Sequence, residues 1–409
     1  MLIFVSDLHL AESGFEPTID LRAFGERLTA IVDGSLLRGA PLVKLILLGD
    51  IFEILKSKHW CGDLKPWDNC TDRHIEVVAK IVNDILKNNS EFVRLLGDLQ
   101  RKYSGRFVVR YVLGNHDRLL GEPMGKHARA HISKNISLEP GCGLTDTVFI
   151  CPNHGVLAWH GHEFDPDNKP SVGGGPILGE VIVVELLEKL KRGVAKEIGW
   201  QADDTRLRFL SELDNVQPHD VSQLGAWIAT HLRALALNHN DKALKDVIVK
   251  QIASCLTTVN SHSSLLPISK HSLVWGLEKY VNHVLGKRPI LPSSLLDLEN
   301  HADKLISATE IIEKTLASQD DLDLDIFVMG HTHIPTHMTT RFSSDGQQRK
   351  LIYLNSGTWR RVHKATFGTG DNVWFQTYDE NTTLIVYDVA EANIFGCRYE
   401  YMTVIQAHT

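Results

Sequence analysis

The 409-residue sequence lacks any apolar run near the roughly 18 residues that a helix needs to cross a bilayer. It also lacks the basic segment followed by an apolar one that marks a secretory leader, because it opens on the strand-like Leu2-Ile3-Phe4-Val5. No membrane span is therefore expected, and residence in the cytoplasm is. Cysteine is scarce and unpatterned. Cys61, Cys70, Cys142, Cys151, Cys255 and Cys397 form no CxxC pair, which argues against a zinc knuckle or a thioredoxin-type dithiol. Cys61 and Cys70 are near enough in sequence to close a loop, but free thiols are the reading that a reducing compartment favours. Positive charge is not in excess either: 43 basic against 50 acidic side chains leave a net charge of −7, with no global attraction for a polyanion. Nucleic acid is thus not favoured as the main partner. Lys191-Arg192 and Arg360-Arg361 are the local basic candidates, and each reads more simply as a solvated surface pair. Internal repeats and low-complexity tracts are missing as well.

What is present is apolar material for a large core, 43% of the chain, over a length that suggests more than one unit. Five short apolar runs stand out, because each ends in residues able to hold a divalent metal. Leu2 to Val5 leads into Asp7 and His9, Leu45 to Leu48 into Gly49-Asp50, and Val108 to Leu113 into Gly114-Asn115-His116-Asp117. Val156 to Trp159 leads into His160, and Ile326 to Met329 into Gly330-His331-Thr332-His333. Runs this short, rich in β-branched and aromatic residues, predict buried strands, and in open α/β sheets ligands collect at the carboxyl ends of strands.

These residues divide the chain. Blocks at 1–165 and 321–409 carry them, and residues 166–320 do not. The first block alternates strands with helical stretches such as Ile75, Val78, Ile81, Val82 and Ile85, which is α/β layering. The last block reads as strands at Leu351 to Asn355, Trp374 to Tyr378, Thr383 to Tyr387 and Tyr399 to Val404, expected to complete a second sheet packed on the first. Between the blocks, helical spacing recurs in Val183, Leu186, Leu187, Leu190 and Val194. It recurs again in Leu244, Val247, Ile248, Ile252 and Leu256, and in Leu295, Leu298, Ala302, Leu305, Thr309, Ile312 and Leu316. A helical insertion is expected there, a lid or a surface for a partner or a second copy, with its stripes facing core, substrate or partner. It is entered through Asp165-Pro166-Asp167 and Ser171-Val172-Gly173-Gly174-Gly175-Pro176, a hinge or turn more readily than a phosphate cradle.

Two Asp, one Asn and four His suit a pair of divalent cations. Such a pair clamps the attacking and leaving oxygens of a phosphoryl displacement and acidifies a bound water. One carboxylate must bridge, and Asp50, uncrowded behind Gly49, is assigned that place. The first cation would then take Asp7, His9, Asp50 and His333, and the second Asp50, Asn115, His160 and His331. Mixed oxygen and imidazole ligands favour Mn²⁺, Fe or Zn²⁺ over Ca²⁺, with Mn²⁺ the first expectation. His116, pointing away from its neighbour Asn115, is the candidate proton donor to the leaving group, Asp117 the group that would orient it, and Glu53 a residue behind the ligands, one turn beyond Asp50 if a helix begins there. His154 and His162 are open: a site group or a polar loop residue. Each element alone is commonplace, but all five, in order and at strand ends, are hard to explain as structure.

Val5-Ser6-Asp7-Leu8-His9-Leu10, Leu48-Gly49-Asp50-Ile51-Phe52-Glu53, Gly114-Asn115-His116-Asp117, His160-Gly161-His162 and Gly330-His331-Thr332-His333 resemble the five signature blocks of the calcineurin-like metallophosphoesterase superfamily. The resemblance covers the two outer blocks. It implies an α/β fold, a four-layer α/β/β/α sandwich carrying a dinuclear centre, here with a large helical insertion, and the ligand set just given. It also implies a structural segment near the site at Asn355-Ser356-Gly357-Thr358-Trp359. Within the superfamily, Gly49 to Glu53 and Gly330 to Pro335 are most similar to UDP-2,3-diacylglucosamine pyrophosphatases, which usually have Arg at the position of His116 and Asp at that of His162. The function expected is a metal-dependent phosphatase or phosphodiesterase acting on a phosphorylated substrate. The alternatives are an SbcD-type DNA nuclease and a scaffold that keeps the fold without turnover.

Overall fold

Strands buried on both faces build the sheets. In β1 (Leu2–Val5), Leu2 and Phe4 face one core while Ile3 and Val5 face another, the period of two that a strand imposes. The computed structural model describes residues 1–12, 19–165, 167–169, 175–199, 208–215, 227, 231, 242–262, 324–344, 347–367 and 373–407. All five runs read from the sequence are strands. β1, β2 (Val43–Leu48) and β3 (Phe107–Val112) lie parallel in one sheet. The second sheet holds β4 (Val148–Cys151), β5 (Val156–Trp159), β6 (Ile326–Met329), β7 (Thr336–Ser344) and β8 (Gln347–Asn355), in the order β4-β5-β6-β8-β7. Within it, β5, β6 and β8 are mutually parallel.

The later strands do not all complete that second sheet. The segments at 374–378 and 383–386 belong to one long strand, β10 (Val373–Val386), which pairs antiparallel with β1 through Leu2 opposite Val386, and β11 (Tyr399–Ala407) adds beyond it. β9 (Arg361–Phe367) pairs with the first half of β10. Only 351–355 goes to the second sheet, within β8, because β1 has a free edge on the side away from β2 and β10 fills it.

Between the sheets lies one interlocked layer. Leu2, Phe4, Ile46, Leu48 and Val112 from the first sheet meet Val156, Ala158, Ile326, Val328, Ile352 and Leu354 from the second. Helices α1 (Leu21–Leu37), α2 (Asp72–Asn88), α3 (Ser90–Lys102) and α4 (Lys126–Asn135) flank the first sheet. Asp20 caps α1 by accepting from the amides of Arg22 and Ala23, and Thr71 and His74 form a capping box on α2. Val78, Ile81, Val82 and Ile85 of α2 are buried as their spacing predicts, while Ile75 in its first turn is half-buried. The architecture is the four-layer α/β/β/α sandwich, and no helix among the described residues is long and apolar enough to cross a membrane. All six cysteines are free.

The insertion is helical where it is described. α5 (Leu178–Val181) continues through a π-helical segment, Ile182–Glu188, into α6 (Lys189–Ile198), followed by α7 (Arg208–Ser211) and α8 (Lys242–Ser261). Val183, Leu186, Leu187, Leu190 and Val194 are buried, as are Leu244, Ile248, Ile252 and Leu256, so these two stripes face the core, with Val247 half-buried beside them. The third stripe, Leu295 to Leu316, lies outside the described residues. Glu180 pairs with Arg118, Glu185 with Lys65 at 2.5 Å, and Arg192 with Glu12 at 3.5 Å, which ties the insertion to the loops that follow β1, β2 and β3. Lys191, expected at the surface, is buried on Glu188 at 2.9 Å.

Phe4 is fully buried and meets Phe149 of β4 edge-on, with ring centroids 6.1 Å apart. Phe4→Ala should therefore lower the unfolding free energy by about 3–5 kcal/mol in a urea titration. A loss under about 1 kcal/mol would contradict the interlocked layer.

Candidate metal centre

Parallel strands put their carboxyl ends on one edge, and here the edges of the two sheets meet. The loops after β1 and β2 run side by side: Asp7 N donates to Gly49 O (3.1 Å), His9 N to Asp50 O (2.9 Å) and Leu10 N to Ile51 O (2.8 Å). Across the sandwich, His331 N donates to Asp7 Oδ2 (3.0 Å), and within the second sheet Gly330 N donates to His160 O (2.9 Å). The Asn355 to Trp359 segment braces the junction, since Thr358 Oγ1 donates to Asp7 O (3.0 Å), Ser6 and Ser356 share a hydrogen bond of 2.7 Å, and Asn355 Nδ2 donates to Gly330 O (2.8 Å).

Backbone strain is gathered at this edge. Asp7 (φ 54°), His9 (46°), Asp50 (54°), His331 (66°) and His333 (57°) occupy the left-handed region, and among the described residues they are the only non-glycine residues that do. Each such conformation costs about 1–3 kcal/mol and persists only where its surroundings enforce it. Gly49 and Gly114 supply the room. A Cβ on Gly49, itself at φ 80°, would lie 2.4 Å from His160 Nδ1, and one on Gly114 would lie 2.2 Å from Asp50 Oδ1.

The side chains so aimed are buried and converge. His9 Nδ1 bonds to Glu53 Oε2 (2.8 Å) and His160 Nδ1 to Leu48 O (3.0 Å). Both partners are pure acceptors, so a neutral ring in either place carries its proton on Nδ1 and turns an Nε2 lone pair inward. His9 Nε2 then meets His333 Nε2 at 3.2 Å, with Asp50 Oδ2 at 3.8 Å and Asp7 Oδ1 at 3.9 Å. His333 Nε2 stands 3.1 Å from Asp7 Oδ1, and His160 Nε2 stands 3.1 Å from Asp50 Oδ2. Despite those distances, Asp7 Oδ1 and His160 Nε2 are buried with no hydrogen bond of acceptable geometry. On the far side, Asn115 Oδ1 lies 3.1 Å from His331 Nδ1. The ligand-type atoms fall into three overlapping groups, Asp7/His9/His333, His9/Asp50/His116 and Asp50/His160/His331. Acceptors that face acceptors in a dry pocket repel one another unless cations stand between them, so the residues present fit a pair of divalent metals.

The same crowding moves the ionisation equilibria. Burial alone would raise Asp7, but His333 and His160 beside it bring it down to about 2. His160 is raised to about 10, against burial, by the Asp50 and Asp7 carboxylates. His9 falls to about 3 through burial and then the positive charge of Arg360. His116 is raised despite burial, because Glu53 and Asp50 face it, and Glu53 is held well below the carboxylate range by His116 and Lys56 in spite of burial.

All seven expected ligands meet at this edge, and His116 joins them, its ring centroid 4.6 Å from that of His9. The carboxylate that touches His116 is Glu53 rather than Asp117: His116 Nδ1 bonds Glu53 Oε1 at 2.7 Å, and no helix is needed to place it, since Phe52 is held by a parallel bridge to Leu10. Asp117 instead accepts from the amides of Gly114 (2.6 Å) and Ile51 (3.0 Å) and from the Tyr111 hydroxyl (2.5 Å), splinting the two loops together. His162 lies at the site, with its ring 5.6 Å from that of His160 and its buried Nδ1 without a hydrogen bond. His154 does not, being placed on Cys151 Sγ (3.1 Å) and near Glu391 Oε2 (3.4 Å).

Two groups escaped sequence reading. Asp165 accepts from His331 Nε2 at 3.0 Å, and its only sequence signal is its position five residues after His160. Arg360 is buried rather than solvated, held by Asn215 Oδ1 at 3.1 Å, and its charge depresses both His9 and His333. Its place directly after the bracing segment is the cue.

No family model matches the chain, and no curated protein matches it significantly. Gly114→Ala should leave the far-ultraviolet circular dichroism unchanged yet cut the metal content of the purified protein by more than half, measured by plasma mass spectrometry. Full metal content in that variant would contradict the tight seat of Asp50. Fold and site together give the chain a calcineurin-like metallophosphoesterase fold with clustered, buried His/Asp metal-binding sites in the adjacent, bridged arrangement of a dinuclear metal-dependent phosphoester hydrolase.

Proposed function

We propose that Asp7, His9, Asp50, Asn115, His160, His331 and His333 hold two divalent cations, manganese first among the candidates, and that His116 protonates the leaving group of a phosphoester hydrolysed beside them. The observation that carries this reading is the inward convergence of lone pairs, above all the 3.2 Å approach of His9 Nε2 to His333 Nε2 and the bare Asp7 Oδ1 next to them. Asp50, common to two of the three groups, is the carboxylate we assign to both cations. Cations bound there would supply an acidified water and offset the charge that builds on the phosphoryl oxygens.

The chain's own groups do the rest. Glu53 holds His9 through one oxygen and His116 through the other, at 2.8 and 2.7 Å, so the proton donor is positioned by the same carboxylate that orients a ligand. Because Glu53 takes His116 Nδ1, the ring presents its other nitrogen, Nε2, for donation. Glu53 and Asp50 raise the pKa of His116 against burial, which favours the acid form that a general acid requires. Asp117 acts as the splint of the loops, and Arg360 as a buried cation acting on His9 and His333. The six free cysteines agree with cytoplasmic residence. As to substrate, the resemblance of Gly49 to Glu53 and Gly330 to Pro335 to UDP-2,3-diacylglucosamine pyrophosphatases points to a nucleotide pyrophosphate, whereas His116 follows the broader phosphodiesterase and nuclease pattern.

Purified protein with Mn²⁺ should hydrolyse bis-p-nitrophenyl phosphate, and failure to bind metal or to turn over would refute the reading. Asp50→Asn should lose metal and turnover together. His116→Ala should retain metal and lose about 10²–10⁴-fold in kcat. The wild-type rate should fall as pH rises through the elevated pKa of His116, where the acid form is lost, and the variant should lack that limb. A wild-type pH profile in His116→Ala would remove the residue from its role.

A further inference from the structure

Asp165, Asn168, Asn115 and His331 close a ring of short polar contacts. His331 Nε2 lies 3.0 Å from Asp165 Oδ2, Asn168 Nδ2 donates to Asp165 Oδ2 (2.9 Å), Asn115 Nδ2 donates to Asn168 Oδ1 (3.4 Å), and Asn115 Oδ1 lies 3.1 Å from His331 Nδ1. The direction of every bond follows from the one group that can only accept, the Asp165 carboxylate. It requires the amide nitrogen of Asn168 toward it, which turns Asn168 Oδ1 toward Asn115. That oxygen in turn requires the amide nitrogen of Asn115, which leaves Asn115 Oδ1 toward His331. The carboxylate also draws the imidazole proton to Nε2, so Nδ1 faces Asn115 Oδ1 with a lone pair. Two acceptors 3.1 Å apart have the spacing of neighbouring ligands on one small divalent ion, each about 2.0–2.1 Å from it.

The ring is also where the helical insertion touches the site. Gly179 N, in α5, donates to Asp167 O at 2.8 Å, and a Cβ on Gly179 would lie 2.0 Å from Asn168 Oδ1. α5 is further pinned by Glu180 to Arg118, one residue after Asp117.

We propose that Asp165 and Asn168 are positioning residues for the second cation, fixing the ligand tautomer of His331 and the ligand oxygen of Asn115, and that the seating of α5 through Gly179 sets how firmly that cation alone is held. This rests on the two-cation reading above. The first cation's ligands, Asp7, His9, His333 and the shared Asp50, are not members of the ring, so loss of Asp165 should spare that cation. The insertion thus controls occupancy of the second metal position.

The test is Mn²⁺ titration of the full chain, followed by calorimetry and by electron paramagnetic resonance, in which two adjacent Mn²⁺ ions give an exchange-coupled spectrum and one alone gives six lines. Wild type should take up two ions; if it does not, the functional reading itself fails. Asp165→Ala should bind the first ion as wild type does and the second about 10–100-fold more weakly, the range for loss of a partner behind a ligand. Six lines should then persist where wild type is coupled. Wild-type affinity for both ions would overturn the proposal, and complete loss of the second ion would make Asp165 a ligand and overturn its positioning role. Should Asp165→Ala not fold, Gly179→Ala, which touches no ligand, decides: selective weakening of the second ion supports the proposal, and unchanged affinity overturns it.

Discussion

Acceptors facing acceptors in a buried pocket are the condition on which the rest of the structure turns. The carboxylates of Asp7, Asp50, Glu53 and Asp165 and six imidazoles lie within one dry edge of the sandwich, and the outer nitrogens of His9 and His160 are already committed to Glu53 and a backbone carbonyl. With those rings neutral, what remains is a set of lone pairs pointing at one another. Left bare, such an arrangement carries a desolvation penalty of several kcal/mol for each ion. Divalent cations turn that repulsion into ligation, and this exchange accounts for why so costly a cluster sits at the convergence of both sheets.

The backbone supports the same conclusion. Five left-handed residues, all of them proposed ligands, hold their side chains at angles that ordinary strand termini do not reach. Hydrogen bonds between loops, from Asp7 N to Gly49 O and from His331 N to Asp7 Oδ2, keep that strain from relaxing. The apolar layer between the sheets makes the bracing rigid, since β1, β2, β5 and β6 each send alternate residues into it. Stability is stored in the core and part of it is held as conformational strain at the site.

Much of this was legible in the chain. The five apolar runs announced their strands because period-two burial on both faces demands continuous hydrophobic sequence, and the ligand residues announced themselves by following those runs. Pairing partners were less legible. Nothing local in Thr383 to Tyr387 says that it lies beside β1 rather than in the second sheet, because that choice is made by which edge is free. Glu53 was visible as a residue near Asp50, but its double attachment to His9 and His116 depends on loops that only tertiary structure brings together. Arg360 was misread for a general reason: a charged side chain is buried only when its partners are, and Asn215 comes from a distant insertion. Asp165 looked like a turn former, and it is, with its side chain used a second time on His331.

The central claim is that two cations occupy this edge at separate, adjacent positions. Anomalous diffraction at the manganese edge from crystals soaked in Mn²⁺ tests it most directly. The account predicts two peaks, one between Asp7, His9 and His333 and the other between Asp50, His160 and His331, with Asp50 reaching both. A map with no peak among these residues, or with density only elsewhere in the molecule, would contradict it.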